Sequence, residues 1–274
     1  MLPAPGPHPR AGPAGADLHR PHRGPDEGLP PADHRGGAAV SRSVLVVEHE
    51  DGTGPEYLGE VLAGEGLLLD VRRPYLGDPL PDTLAGYDGL IVLGGTPGWG
   101  DDHVAPWLPA ARVLLRRALD EELPLLGVCL GGQLLASVAG GQVARSEAGP
   151  EIGLHPLSWR PEAATDVLFS DLPPGAPAMQ WHYDHITELP LGAVLLASTD
   201  RFPHQAYRLG ERAWGMQFHM EVLTPAAKEW ASSDRDALVG LGLDPDGLVE
   251  EVRDAEPQLR DVWGRVARRW AALV

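Results

Sequence analysis

The chain has 274 residues, 43% of them apolar, which is enough to enclose a full hydrophobic core in one domain of moderate size, with or without appendages. A formal charge of -17 argues against nucleic acid as a partner, since phosphate binding draws on clustered Lys and Arg, and the single lysine, Lys228, with the excess of Gly, Pro and Ala reads as coding bias. One cysteine excludes an internal disulfide and points to the reducing cytoplasm, and the absence of any bilayer-length apolar stretch or apolar secretory core argues against a membrane.

Residues 1–42 are Pro, Gly, Ala, Arg and His in no periodic order, so disorder is the expectation. His8, His19, His22 and His34 lack the spacing of metal ligands. From Ser43 the texture changes. Residues 43–49 (SVLVVEH) read as a buried strand, about 55–64 as a short helix, 66–73 as a second strand and 87–95 as a third that ends in a glycine pair. An amphipathic helix over 104–122 leads to a strand at 123–128, and a helix follows over 130–140, stopped by Gly140 and Gly141.

Apolar strands alternating with helices signal a parallel sheet covered on both faces, an α/β three-layer, flavodoxin-like arrangement. After Gly141 shorter runs with more turns suggest a mixed or antiparallel portion returning to the main sheet. From Thr224 the pattern is helical and charged, read as one helix of the core and then, over 233–274, a helical extension of a domain spanning 43–232. In parallel sheets reactive groups gather beyond the carboxyl ends of the strands, which puts residues 93–102 and Cys129 on one rim.

Cys129 stands between a buried strand and a helix, with Gly127, Gly131 and Gly132 around it. A nucleophile elbow needs small neighbours for its strained turn, and a helix N-terminus favours thiolate. A lone cysteine after an apolar strand is more often an inert buried residue, so the assignment rests on what lies downstream. In Gln217-Phe218-His219-Met220-Glu221, strand alternation puts Gln217, His219 and Glu221 on one face, where the carboxylate can hold the far nitrogen of the imidazole. The pattern alone also fits an exposed edge strand. Gly94 and Gly95, at the end of the third strand, either make a tight turn or free backbone N–H groups. The N–H groups of Gly95 and Leu130 then make a candidate oxyanion hole.

The runs VLGGTPGWGDD, GVCLGGQLLA and QFHMEV, with WHYDHITELP (181–190) and EIGLHPL (151–157), resemble in order and spacing the class I (triad) glutamine amidotransferases. Among these the chain is similar to stand-alone proteins like the amidotransferase domain of GMP synthase, over roughly residues 43–225. The resemblance implies a Cys129, His219, Glu221 triad and an oxyanion hole from Gly95 and Leu130. It also implies substrate contacts from Gly94, Gln133, Trp181, His182, Tyr183 and Asp184. Two positions depart from the family pattern: Gly132 stands where histidine is most usual, and Met220 replaces a frequent proline.

The activity implied is hydrolysis of a γ-glutamyl amide through a cysteine thioester, without metal or other cofactor. The ammonia would pass to a separate synthetase, since the chain shows no phosphate loop of its own. A γ-glutamyl peptidase or amidase acting alone is the alternative. A non-catalytic binding module ranks third, because it predicts a damaged triad and the triad residues are all present. His182 and His185 form an HxxH pattern without a third ligand, so a metal there is not expected.

Overall fold

The computed structural model describes residues 42–274, and the expected disordered tail therefore lies, apart from Arg42, outside the described residues. The first half alternates as the sequence does: β1 (Ser43–Val47), α1 (Glu56–Gly64), β2 (Leu68–Arg72), β3 (Gly89–Val92), α2 (Leu108–Asp120), β4 (Leu125–Val128) and α3 (Leu130–Val138). Eight strands then come in short succession: β5 (Gln142–Arg145), β6 (Glu151–Pro156), β7 (Ser158–Trp159), β8 (Pro177–His182), β9 (Asp184–Glu188), β10 (Val194–Ser198), β11 (Ala206–Leu209) and β12 (Ala213–Met216). Three helices close the chain: α4 (Thr224–Ser233), α5 (Arg235–Gly240) and α6 (Pro245–Ala271).

The main sheet has eight strands in the order β2-β1-β3-β4-β12-β11-β10-β7. From β2 to β12 all neighbours are parallel, and β11, β10 and β7 add antiparallel pairings. Apart from the partly exposed edge strand β2, the strands of the parallel part are buried on both faces, and their residues divide by parity. Val44, Val46, Ile91 and Leu126 pack into one core with Leu58, Leu62, Trp263 and Trp270 from α1 and α6. Leu45, Val47, Leu90, Val92 and Leu125 pack into the other with Leu108, Leu115 and Leu134 from α2 and α3. That division makes three layers from sequences that read as continuous apolar runs.

Two two-stranded ribbons, β5 with β9 and β6 with β8, stand outside this sheet. Their strands had been expected to return to the main sheet. Only β7, β10, β11 and β12 do so. Residues 233–274 are more than an extension. Val252, Leu259, Val262, Trp263, Val266 and Trp270 of α6 are buried in the same core as β1 and β4, and Arg42 reaches across to the carbonyl of Ala271 at 3.2 Å. Among the described residues no helix is long and apolar enough to cross a membrane.

Candidate active site

The turn between β4 and α3 holds Cys129 at φ 50 and ψ -106, a conformation that costs a non-glycine residue of order 1–3 kcal/mol. The surroundings impose it. Cys129 donates its N–H to the carbonyl of Met216 at 2.7 Å, and Gly131 donates to that of Leu93 at 3.1 Å, so the start of α3 is tied to the ends of β12 and β3. A Cβ at Gly131 would lie 1.9 Å from the carbonyl oxygen of Val92, and one at Gly132 would lie 2.5 Å from that of Met216. No side chain fits at either place. The departure at Gly132 thus has a local reason: the helix rests directly on β12, and Tyr207 donates its hydroxyl to the Gly132 carbonyl at 2.7 Å.

The segment with His219 is not a strand, contrary to expectation, because β12 ends at Met216 and only one bridge, His219 to Met179, continues the pairing. The alternation survives nonetheless. Phe218 and Met220 enter the apolar core, and Phe218 meets Trp263 with ring centroids 4.8 Å apart. Gln217, His219 and Glu221 point to the opposite side. His219 Nδ1 lies 2.6 Å from Glu221 Oε1, with both side chains buried.

Gly94 closes the gap to the sulfur. A Cβ there would lie 2.8 Å from His219 Cε1 and 3.4 Å from Cys129 Cβ, so the imidazole and the cysteine share the room that glycine leaves. Burial works to lower the His219 pKa, but the charges of Glu221 and Cys129 and their hydrogen bonds prevail and push it up to about 10. The ring is held as imidazolium between a carboxylate and a cysteine. The indole of Trp230 stands edge-on to it at 4.8 Å and anchors itself by donating to the carbonyl of Gly52 at 2.8 Å.

The loop after β3 is braced from β1. Thr96 donates both N–H and hydroxyl to Glu50 Oε1, at 2.7 and 2.8 Å. Gly95 packs so closely on His49 that a Cβ would lie 2.7 Å from that residue's own Cβ. Burial holds the pKa of His49 down at about 4, and its Nδ1 accepts the indole N–H of Trp107 at 3.0 Å. Leu130 is the first residue of α3, where N–H groups have no partner within the helix.

The expected substrate contacts separate into two groups. Gln133 is buried and donates its amide to the Asp184 carbonyl at 3.0 Å and to Gln217 Oε1 at 3.2 Å, so only its own oxygen is left to offer. Asp184 keeps Oδ1 without a hydrogen-bond partner among the described residues, the nearest cation being Arg145 at 3.7 Å. Tyr183 lies under the Arg145 guanidinium, 4.4 Å from its ring centroid. Trp181 donates to Asp234 at 2.9 Å and meets Trp230 edge-on at 5.8 Å, one ring removed from His219.

His182 departs most from expectation. Its Nδ1 lies 3.0 Å from the Asp184 carbonyl oxygen and its Nε2 lies 3.2 Å from Glu151 Oε2, with both residues buried. Both ring nitrogens are committed inside the protein, which leaves none for a ligand. Among the described residues no group of three or more His, Cys, Asp or Glu side chains is arranged to hold a metal ion.

The family model for glutamine amidotransferase class-I matches residues 71–233. The chain belongs to the class-I glutamine amidotransferases. It is 34% identical to a GMP synthase [glutamine-hydrolyzing] of Porphyromonas gingivalis over 65% of this chain, but that match spans only 32% of the relative's length. It is 30% identical to gamma-glutamyl peptidase 5 of Arabidopsis thaliana over 75% of this chain and 82% of the relative. A crystal structure of a glutamine amidotransferase from Thermotoga maritima superposes with a TM-score of 0.77 at 26% identity, covering 84% of this chain and 98% of that one.

In this amidotransferase, sequence reasoning passed over Gln217, Trp230, His49 and Glu151. Gln217 had a signal, since it shares a face with His219 two residues away. Glu151 opens the EIGLHPL run, but its pairing with His182 had no local signal, and neither had the bond of Trp230 to Gly52, 178 positions away.

Proposed function

We propose that this amidotransferase hydrolyses the γ-carboxamide of glutamine, with Cys129 as nucleophile, His219 as proton carrier and Glu221 as the group that holds the imidazole. The observation that carries the reading is a cysteine in a strained elbow beside an imidazole whose Nδ1 lies 2.6 Å from a buried carboxylate. The Cys129 thiolate attacks the amide carbon, and the carbonyl electrons move onto oxygen, where the N–H groups of Gly95 and Leu130 receive the charge. The intermediate collapses as His219 gives its proton to the departing nitrogen, which leaves as ammonia. A water then gives a proton to His219 and attacks the thioester. Glutamate departs, and the thiolate and imidazolium are restored.

Gly94 leaves the space in which sulfur and imidazole meet. The free oxygen of Gln133 and the Oδ1 of Asp184, which among the described residues accepts no hydrogen bond and has only the Arg145 guanidinium at 3.7 Å, are acceptors suited to the α-ammonium of an amino acid, with Tyr183 and Trp181 beside them. His182 supports this wall from behind through the Asp184 carbonyl. The ammonia passes to a separate synthetase, in keeping with a relative named GMP synthase, and the setting is the cytoplasm.

A second reading, a γ-glutamyl peptidase, is favoured by one observation: the match to the gamma-glutamyl peptidase runs over 82% of that protein. The two readings share every step and differ in the leaving group. Purified chain incubated with glutamine and with a panel of γ-glutamyl peptides and amines, scored as glutamate released, separates them. Release from glutamine that rises with an added synthetase supports the first. Release from peptides in preference to glutamine overturns it in favour of the second.

A further inference from the structure

Beside Cys129, Gly94 and His219 already have parts in the reaction, whereas Gln217, which also reaches the sulfur, has none. Its Nε2 lies 3.8 Å from Cys129 Sγ, within reach of a hydrogen bond to a large, polarisable acceptor. The side chain is buried, so water does not compete for it.

Which end of the amide faces the sulfur follows from its neighbours. The Asp184 carbonyl can only accept, so the end of Gln133 that meets it at 3.0 Å is the NH2. That same NH2 meets Gln217 at 3.2 Å, so the Gln217 atom there must be its oxygen. The remaining end of Gln217, the one at the sulfur, is therefore NH2, and turning it over would set two donors against each other.

The lock extends further. His182 Nδ1 donates to the same Asp184 carbonyl, and its Nε2 meets Glu151, which also accepts from Gln205 at 2.6 Å and Thr199 at 2.7 Å. The backbone N–H of Gln217 donates to the Gln205 carbonyl at 2.9 Å, so both ends of Gln217 lead to Glu151.

We propose that Gln217 is a further catalytic residue of this amidotransferase, a neutral donor to the reacting sulfur whose amide is locked in the donating orientation by Gln133 and the Asp184 carbonyl. The proposal rests on Cys129 as the nucleophile. A thiolate gains from a second donor that, unlike His219, never transfers its proton, so the same donor is in place before the attack and again when the sulfur leaves the acyl group. Gln133 and His182 act through Gln217 and are positioning residues in this respect.

The test is the rate of Cys129 alkylation by iodoacetamide against pH, without substrate, in wild type, Gln217→Glu, Gln217→Ala and Gln133→Ala. Folding is checked by near-UV circular dichroism. Loss of a donor to a charged acceptor predicts a rate lower by roughly tenfold to a hundredfold near neutral pH in both Gln217 variants, with the acid limb moved to higher pH. Gln133→Ala, which frees the amide to turn, shows a smaller shift in the same direction.

Folded Gln217 variants with the wild-type alkylation profile overturn the proposal and leave Cys129 as nucleophile untouched. Glutamate release that persists in Cys129→Ala overturns the nucleophile itself. Should the Gln217 variants fail to fold, Gln133→Ala decides with Gln217 in place, and an unchanged profile there overturns the lock and the proposal with it.

Discussion

Two buried histidine–carboxylate pairs lie among the described residues, and they are built for opposite ends. His219 and Glu221 meet at 2.6 Å and His182 and Glu151 at 3.2 Å, both with little access to solvent. In the first pair the carboxylate takes one ring nitrogen, and the ring shares the space left by Gly94 with Cys129. In the second both nitrogens face acceptors, and the carboxylate accepts from Thr199 and Gln205 as well. A carboxylate beside a histidine therefore says little about chemistry. What the far nitrogen faces decides whether the pair can move a proton or serves as a brace.

The widest separation between the two pairs is expected in turnover. Cys129→Ala should lower glutamate release by about four orders of magnitude or more with the fold unchanged by circular dichroism, since loss of a nucleophile removes nearly all catalysis. His219→Ala should cost about as much. Glu221→Ala should cost roughly one to two orders of magnitude less, because it orients the ring without transferring the proton. Equal losses for Glu221→Ala and His219→Ala in kcat would contradict that division.

Stability tests the brace directly. Glu151→Ala removes the shared acceptor of His182, Thr199 and Gln205, and breaking a buried pair of this kind costs about 3–5 kcal/mol. Urea unfolding would read that loss as a lower midpoint. A midpoint within error of wild type would mean that Glu151 is no brace.

The sharpest discriminator is in the pH dependence of stability. His219 is raised from 6.5 to about 10, so the stability it contributes is complete below about pH 6.5 and is lost as pH rises through about 10. For Glu151 burial alone would raise the pKa, but the hydrogen bonds from His182 and Thr199 overcome it and hold it below 4.5. Its contribution is present above that pH and is lost as pH falls below it. Unfolding midpoints measured from about pH 3 to 10 should decline at both ends in wild type. Glu221→Ala should remove the alkaline decline and keep the acid one. Both declines surviving in Glu221→Ala would detach the alkaline limb from His219.

The same contrast governs how much could be read in advance. The parallel half of the sheet was legible because its inner strands are buried on both faces and so are written as runs such as Val44 to Val47, flanked by helices. Cys129 was legible because an elbow imposes small residues at fixed offsets. His219 and Glu221 were legible from period-two alternation, which holds even though β12 ends before them. His182 was misjudged. Its environment is made by Glu151, thirty-one positions earlier in the chain, on the partner strand of the β6–β8 ribbon.

Local sequence alone set the order of strands and helices, the tight turn at Cys129 and the side of the chain on which Gln217, His219 and Glu221 face, because each follows from contacts within a few residues. Tertiary structure alone decided which carboxylate each histidine meets and which way the Gln217 amide points. It also decided that α6, with Trp263 and Trp270, packs into the same core as β1 and β4. Those outcomes depend on hydrogen bonds and burial between distant segments. Neither the spacing nor the type of a residue reveals which partner it will meet across the sheet.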